Sequence, residues 1–439
     1  MENDVYKKSR LMYIFEAALE YLVSILVANS FLATLTKYIG MSDGLTGIIS
    51  SFISLGCVFQ LISLFIRRPR MKPFVVTFSI INQLLFLLLY VIPVINISGT
   101  IKAVIFTVSI FTAYLTYNIA HPAKINWFMS LVDDGIRGRF TANKEIVSLL
   151  SGMVFTYAMG SLVDRFEAAG KIEMAFIVSA VVIFVLMVLH TLTMLFSKEK
   201  DIYKVGTEKM GIFREKVAVL KDKNVIRVTV VFILWNIAMY STLPFFGTYQ
   251  IKELGFSLTF VSVLQIVSGF LRMTFSRFMG SFADKKSFAV MIRLCFTIAA
   301  VGFVFTVFCV PKNGRLFFAA YSALNAIAMS GINSALINLV FDSVEPEKRA
   351  DSLAISQALS GVAGFLSTLC ISALVMHIQR SGNIFFGINI YAQQVASFIG
   401  LIFTLASIVY VSVFLIGKKG KGSSETVGLK DDKCKVLSD

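Results

Sequence analysis

Charge is what this sequence has least of. Of its 439 residues only 15% are Asp, Glu, Lys or Arg, while 56% are hydrophobic. An ordinary soluble domain carries about 25% charge, so no water-facing fold can hide this much apolar surface. Histidine is scarcer still, with three residues. The five cysteines, Cys57, Cys295, Cys309, Cys370 and Cys434, form no Cys-x-x-Cys pair and no metal-ligand spacing, and four of them lie in apolar runs as small hydrophobes. No Gly-x-x-x-x-Gly-Lys-Ser/Thr loop occurs, which argues against ATP drive by this chain. No nucleophile motif or His/Cys/Asp cluster occurs either. We therefore expect no enzyme, no cofactor and no metal.

What is present is a series of long apolar runs. Each is long enough to cross about 30 Å of hydrocarbon as a helix. Twelve spans are expected near 11–36, 44–66, 74–95, 102–127, 140–163, 173–196, 225–250, 257–280, 288–310, 316–341, 351–377 and 389–416. The first run is too long for a signal-peptide core and is expected to remain as a span. The formal charge of +15 would suggest nucleic acid in a soluble protein. Here Lys and Arg crowd alternate segments between the runs, starting with the N-terminus, and this pattern sets topology in a lipid bilayer. It predicts cytoplasmic termini in an inner (plasma) membrane and no nucleic-acid partner.

The longest connection, 197–224, divides the runs into two sets of six. Its stretch Ile212–Leu220 places Ile212, Phe213, Val217 and Leu220 among Arg214, Glu215 and Lys216, as an amphipathic surface helix would. The expected organisation is a first six-helix bundle over 1–196, this cytoplasmic loop, a second bundle over 225–416 and a polar, disordered tail over 417–439. Two offsets support duplication. A shift of 209 lays Asp133 on Asp342, Arg139 on Lys348 and Leu150-Ser151-Gly152 on Leu359-Ser360-Gly361; a shift of 214 lays Lys72-Pro73-Phe74 on Lys286-Ser287-Phe288.

Between the eighth and ninth runs stands Gly280-Ser281-Phe282-Ala283-Asp284-Lys285-Lys286-Ser287. It resembles the Gly-x-Leu-Ala-Asp-Arg-x-Gly-Arg signature of the major facilitator superfamily. The first-half counterpart, Ile66-Arg67-Arg68-Pro69-Arg70-Met71-Lys72, keeps the basic residues but has no Gly-x-x-x-Asp. Trp127-Phe128-Met129-Ser130-Leu131, followed by Ile136-Arg137-Gly138-Arg139, looks like the loop after the fourth span of many bacterial members. The resemblance implies an all-α membrane protein of two pseudo-symmetric six-helix bundles, moving a small solute by alternating access. It also implies gating by Gly280, Asp284, Lys285 and Arg139, with Asp284 set against the start of the fifth span near Phe140 and Thr141 when the cytoplasmic side is shut. A carboxylate is suited to that place because a helix N-terminus favours an anion.

Polar groups inside a span face a cavity or a partner, because hydrocarbon offers them nothing. Tyr13, Glu16, Glu20 and Ser24 share one stripe of the first span. Two carboxylates one turn apart raise each other's proton affinity, so Glu20, Glu16 and, on the fifth span, Glu145 are candidate proton-coupling residues. Thr107, Tyr114, Tyr117, Asn118 and His121 share a face of the fourth span, with Lys124 at its edge. Trp235, Asn236 and Tyr240 on the seventh span, Gln265 and Arg272 on the eighth, and Asn325 and Asn333 on the tenth complete the candidate solute path. Arg272, read as a buried cation, requires an anionic partner: Glu20, Glu145 or the solute. Small residues at Ser151-Gly152, Gly160, Ser268-Gly269, Ser360-Gly361 and Gly364 read as helix-packing positions.

The expectation is a monomeric secondary transporter, a symporter or antiporter, driven by a proton or other ion gradient. The alternatives are a non-transporting sensor on a transporter scaffold or an exporter of drugs and amphiphiles. The fifth span reads Ser151-Gly152-Met153-Val154-Phe155-Thr156 where drug–proton antiporters of the superfamily carry a Gly-Pro pair, which disfavours the exporter.

Overall fold

The computed structural model describes residues 5–56, 58–59, 70–132, 137–200, 222–345, 349–385 and 387–416. The first span is α1 (Lys7–Leu26) with α2 (Asn29–Ile39); α3 (Asp43–Ser50) and a 3-10 turn (Ser51–Leu55) begin the second. The third to sixth are α4 (Met71–Val91), α5 (Gly99–Met129), α6 (Arg137–Ala168) and α7 (Ile172–Leu195). In the seventh, α8 (Lys223–Tyr240), α9 (Leu243–Thr248) and a π-helical turn (Tyr249–Glu253) follow one another. The eighth to twelfth are α10 (Leu258–Lys285), α11 (Phe288–Val307), α12 (Gly314–Ser343), α13 (Arg349–Arg380) and α14 (Ala392–Tyr410), which ends in a π-helical turn at Val411–Ile416. A two-residue hairpin, β1 (Ile384–Phe385) antiparallel to β2 (Ile388–Asn389), joins the last two.

Eleven of these spans are long and apolar enough to cross a membrane among the described residues, and the short apolar helix Asp43–Leu55 marks the twelfth. The remainder of the expected 44–66 run, the helix expected at 212–220, the tail and most of the degraded first-half motif lie outside the described residues. Helices dominate because hydrocarbon supplies no partner for a backbone amide, so each segment must satisfy its own. Several run past the hydropathy boundaries and end on side-chain caps. Ser42, Ser98, Ser257 and Ser287 accept from the amides of Leu45, Ile101, Phe260 and Val290, and Asp222 accepts from that of Asn224.

The two largest of four apolar clusters are one from residues between Val23 and Leu186, joined by Ile251 and Leu258, and a second core from residues between Val225 and Val411. The first and seventh spans both break near one end of the molecule. Asn29 takes a positive φ of 48° at the first break, which Asn tolerates better than most residues. The two broken segments then meet: a Cβ added at Gly247 of α9 would lie 2.6 Å from the Asn29 carbonyl oxygen, and one added at Gly47 of α3 would lie 2.1 Å from the Phe245 ring.

This end is closed by polar contacts between the two sets of spans. Lys252 donates to Asp43 Oδ1 (2.7 Å) and to the Met41 carbonyl (2.9 Å), while Gln379 (2.8 Å) and Gln393 (3.1 Å) donate to Asp43 Oδ2. Ser30 donates to Gln250 at 2.6 Å. Asp164, near the end of α6, accepts from the backbone amides of Leu258 (2.9 Å) and Thr259 (2.7 Å) and so caps α10 from the other set. The small residues sit where helices approach closely. Added Cβ atoms would meet Ser262 Oγ at Gly160 (2.7 Å), Met153 Cε at Gly269 (2.3 Å) and the Ser54 carbonyl oxygen at Gly361 (2.4 Å), each across the two sets. Gly152 and Gly364 are closed by Tyr21 and Tyr240 within their own sets.

Candidate functional site

Glu16 and Glu20 lie one turn apart on α1, so both carboxylates point to the same side of the helix. α5 crosses that side and delivers Lys124. Its ammonium donates to Glu16 Oε1 at 3.0 Å and to Glu20 Oε2 in a shorter contact. α7 adds His190, whose Nε2 lies 3.0 Å from Glu16 Oε1 and 3.6 Å from Glu20 Oε2. Behind it, Gln83 of α4 places Nε2 3.0 Å from His190 Nδ1. Four helices thus converge on one ionic cluster in the interior of the first set. Glu16 is 0% exposed and His190 equally buried; Glu20 has the most exposed side chain of the four ionic residues, at 19%.

The hydrogen-bond pattern defines what the cluster can hold. With Gln83 Nε2 donating to Nδ1, the imidazole carries its proton on Nε2 and donates it to Glu16. Turning the amide by half a rotation presents Oε1, buried and without a partner here, to the Nδ1–H of an imidazolium. The arrangement therefore accepts either protonation state of His190 with the ring in place. Two carboxylates against one ammonium leave one negative charge, and one further proton makes the cluster neutral. Burial makes that neutrality matter, because an uncompensated charge is costly in a low dielectric.

The cluster has an edge on a small hollow of about 10 Å³ lined by Glu20, Ser79, Asn82, Gln83, Tyr117, Ala120, His121 and Lys124, room for about one water. The Tyr117 hydroxyl reaches Glu20, its ring lies 5.7 Å from the Lys124 ammonium, and it packs against the His121 ring at 5.0 Å. His121 Nδ1 is buried with no partner among the described residues. Lys144 of α6 sits 4.9 Å over the Tyr13 ring and 3.4 Å from its hydroxyl. A larger hollow of about 340 Å³ between α4 and α7, lined by Leu87, Tyr90 and Phe184 among others, is apolar and includes none of these charged residues.

The fourth-span face is thus split. Tyr117 and His121 border the hollow, whereas Tyr114 is buried against Phe86 and approaches Tyr240 of the seventh span. Asn118 is buried, donates to the Tyr114 carbonyl at 2.8 Å and packs on Gly56. On the second set, Asn236 is half-buried and donates to the Phe232 carbonyl (3.0 Å), Asn325 is half-buried, and Gln265 and Asn333 are exposed. Trp235 corrects its expectation. It is 4% exposed and stacked on Phe296 at 4.9 Å inside the second core, so it packs rather than lines a path.

Arg272 is exposed rather than buried, makes no ion pair among the described residues and is close enough to Tyr21 for their charges to interact. Neither acid proposed for it serves here, since Glu20 is held by Lys124 and Glu145 is exposed on α6 and outside the cluster. Asp284 and Lys285 are exposed at the end of α10, which continues through the expected loop, and no hydrogen bond or ion pair joins Asp284 to α6 among the described residues. Gly280 has open space around it. Arg139 lies in the first turn of α6, where only the backbone is described.

Sequence reasoning missed His190 and Gln83 and set Lys124 at the margin. An ionisable side chain in a span is itself a signal, and His190 inside the apolar run 173–196 carried it.

Glu16, Glu20 and His190 each bring one ligand-type atom to a group spanning no more than 4.8 Å. The cation among them is Lys124. Their chemistry suits a metal, and the Lys124 ammonium contacts both carboxylates.

The chain is similar throughout its length to solved transporters. The nucleoside transporter NupG superposes with a TM-score of 0.67 at 12% identity, over 93% of this chain and 98% of that one. A D-xylose-proton symporter gives 0.66 at 13%, over 92% and 97%. A bacterial homologue of the human lysosomal transporter Spinster, inward-facing and unoccupied, gives 0.62 at 13%, over 94% and 95%. No curated protein sequence matches the chain. The sequence model of the Major Facilitator Superfamily matches residues 11–368, most of the chain, and the chain belongs to that superfamily.

Proposed function

We propose that this secondary transporter is proton-coupled and works by alternating access, with the Glu16–Glu20–Lys124–His190 cluster as the coupling site. The observation that carries the reading is the charge of that cluster: buried, one proton short of neutral, and bordering through Glu20 the small hollow it shares with Tyr117 and His121. Loading a proton removes the deficit, so protonation and movement of the first set are energetically linked. Glu16 and Glu20 share the role expected of them, and Glu145 does not enter it.

The solute is a small polar metabolite. Asn236, Gln265, Asn325 and Asn333 offer amides rather than an apolar wall, and Arg272 offers a guanidinium with no ion pair among the described residues. The transporters of the same fold named above handle a nucleoside and D-xylose. With Lys and Arg concentrated at the ends that carry both termini, the end sealed by Asp43 and Asp164 is the outer one, in the cytoplasmic membrane. This conformation is then inward-facing.

The test begins with a thermal-shift screen of purified protein against polar metabolites, since a ligand of the folded state raises Tm. The hit is then followed in proteoliposomes under an imposed pH gradient. Glu20→Gln is expected to abolish gradient-driven accumulation while sparing exchange. Accumulation with unchanged pH dependence in that variant would sink the coupling role.

A further inference from the structure

We propose that Lys124 is a tethered counter-ion whose ammonium fills a cation site built by Glu16, Glu20 and His190, and that it thereby bars divalent metal ions from a ligand set able to hold one. This deepens the coupling reading above, on which its functional meaning rests: with a doubly charged ion excluded, the second positive charge the two carboxylates need is a proton.

The geometry is that of a coordination shell. Ligand atoms around a tetrahedral metal at about 2.1 Å stand about 3.4 Å apart. His190 Nε2 lies 3.0 Å from Glu16 Oε1 and 3.6 Å from Glu20 Oε2, and all three ligand atoms fall within 4.8 Å of one another. Two carboxylates and an imidazole are a ligand set for zinc, manganese or cobalt.

Two further observations are independent of that spacing. Glu16 Oε2 is buried with no hydrogen-bond partner among the described residues, a spare lone pair on a side chain that is 0% exposed. Gln83 Oε1 is likewise buried and unpartnered, beside His190 Nδ1. Metal binding through Nε2 requires the proton on Nδ1 and an acceptor beyond it, and a half-turn of the Gln83 amide supplies one. The shell around the imidazole is therefore complete without any new residue.

Lys124 comes from a third helix and its side chain is 7% exposed. Its ammonium contacts both carboxylates, so a metal and this side chain cannot occupy the site together. The other cations nearby lie outside it: His121 borders the hollow with Tyr117, and Lys144 is engaged by Tyr13.

The experiment uses the full chain, purified, with Zn²⁺ in thermal-shift assays and Co²⁺ in visible absorption. Wild type and Lys124→Arg, which retain the tethered charge, are expected to show neither a Tm shift nor a ligand-field band. Lys124→Met keeps the volume and removes the charge, and is expected to bind one Co²⁺ per chain with a rise in Tm on Zn²⁺. Both responses should vanish in Lys124→Met/His190→Ala. Recovery of folded Lys124→Met only when Zn²⁺ is supplied would support the proposal equally.

A folded Lys124→Met without metal response overturns it. So does failure to recover that variant even with Zn²⁺, because a bound metal would replace the lost charge. Co²⁺ binding by wild type that Glu16→Gln abolishes overturns it as well. These readouts are binding measurements, so they stand apart from pH-driven uptake: coupling can fail in wild type while the metal response of Lys124→Met holds, and the reverse.

Discussion

Asp164 is the most direct handle on the conformational balance. Its two carboxylate oxygens cap α10 from the opposite set of spans, at 2.9 Å and 2.7 Å from the amides of Leu258 and Thr259. Charge-assisted bonds of this kind contribute about 1.5–3 kcal/mol each. Asp164 is half-buried, so the lower figure applies, and Asp164→Ala should cost the closed end about 3 kcal/mol. At about 1.4 kcal/mol per decade, the population with this end open rises ~100-fold. Ser372 is a suitable reporter because its buried hydroxyl faces Gly44 across the two sets, 2.8 Å from the Cβ position there. In a background without the native cysteines, a Ser372→Cys thiol should react with maleimide ~100-fold faster when Asp164→Ala is added. Asp284 is the counterpart at the other end of the same helix pair. It is exposed and makes no ion pair among the described residues, so Asp284→Ala should leave this state intact, weaken the alternative one and slow the labelling, and the double variant should return toward wild type. Labelling rates unchanged within about threefold in both single variants would refute the reasoning.

The Asp43 latch gives a second lever. Asp43 is 3% exposed and accepts from Lys252, Gln379 and Gln393, and breaking a buried ion pair costs about 3–5 kcal/mol. Asp43→Asn should therefore lower Tm and accelerate the same labelling. Gly361→Ala forces a Cβ to 2.4 Å from the Ser54 carbonyl, a backbone atom that cannot rotate away. A loss of about 1–3 kcal/mol is expected in thermal unfolding, whereas Gly280→Ala, with open space around it, should leave Tm unchanged. Trp235→Ala removes a ring packed on Phe296 and should cost about 3–5 kcal/mol of stability. Its affinity for the solute should hold, and a selective loss of affinity with unchanged Tm would return Trp235 to the path.

The sequence made some of this molecule legible and left other parts closed, for one physical reason. Length and apolarity of a span are local properties, so eleven spans and the start of the twelfth stand where hydropathy puts them, and the breaks, caps and hairpin adjust only their ends. The facing of a span is different. In water an amphipathic stripe marks the core side of a helix, but in a bilayer lipid and core are both apolar, and the stripe disappears. That is why Trp235 looked like cavity lining and lies in the core, and why His190 passed as one polar residue in an apolar run. Polar residues at helical spacing still carried information: Glu16 and Glu20 share a side, and the fourth-span residues Tyr117, His121 and Lys124 border one hollow. What those residues meet was decided only by tertiary packing. Lys124 finds its two carboxylates 108 and 104 positions away, and His190 finds Glu16 174 positions away. The sequence alone determined a membrane-spanning transporter of long apolar helices with carboxylates inside the first span. The tertiary structure decided that those carboxylates are held by a lysine and a histidine from two other helices, because burial makes such charges seek a partner wherever the fold brings one within reach, and that the exposed Arg272 makes no ion pair among the described residues.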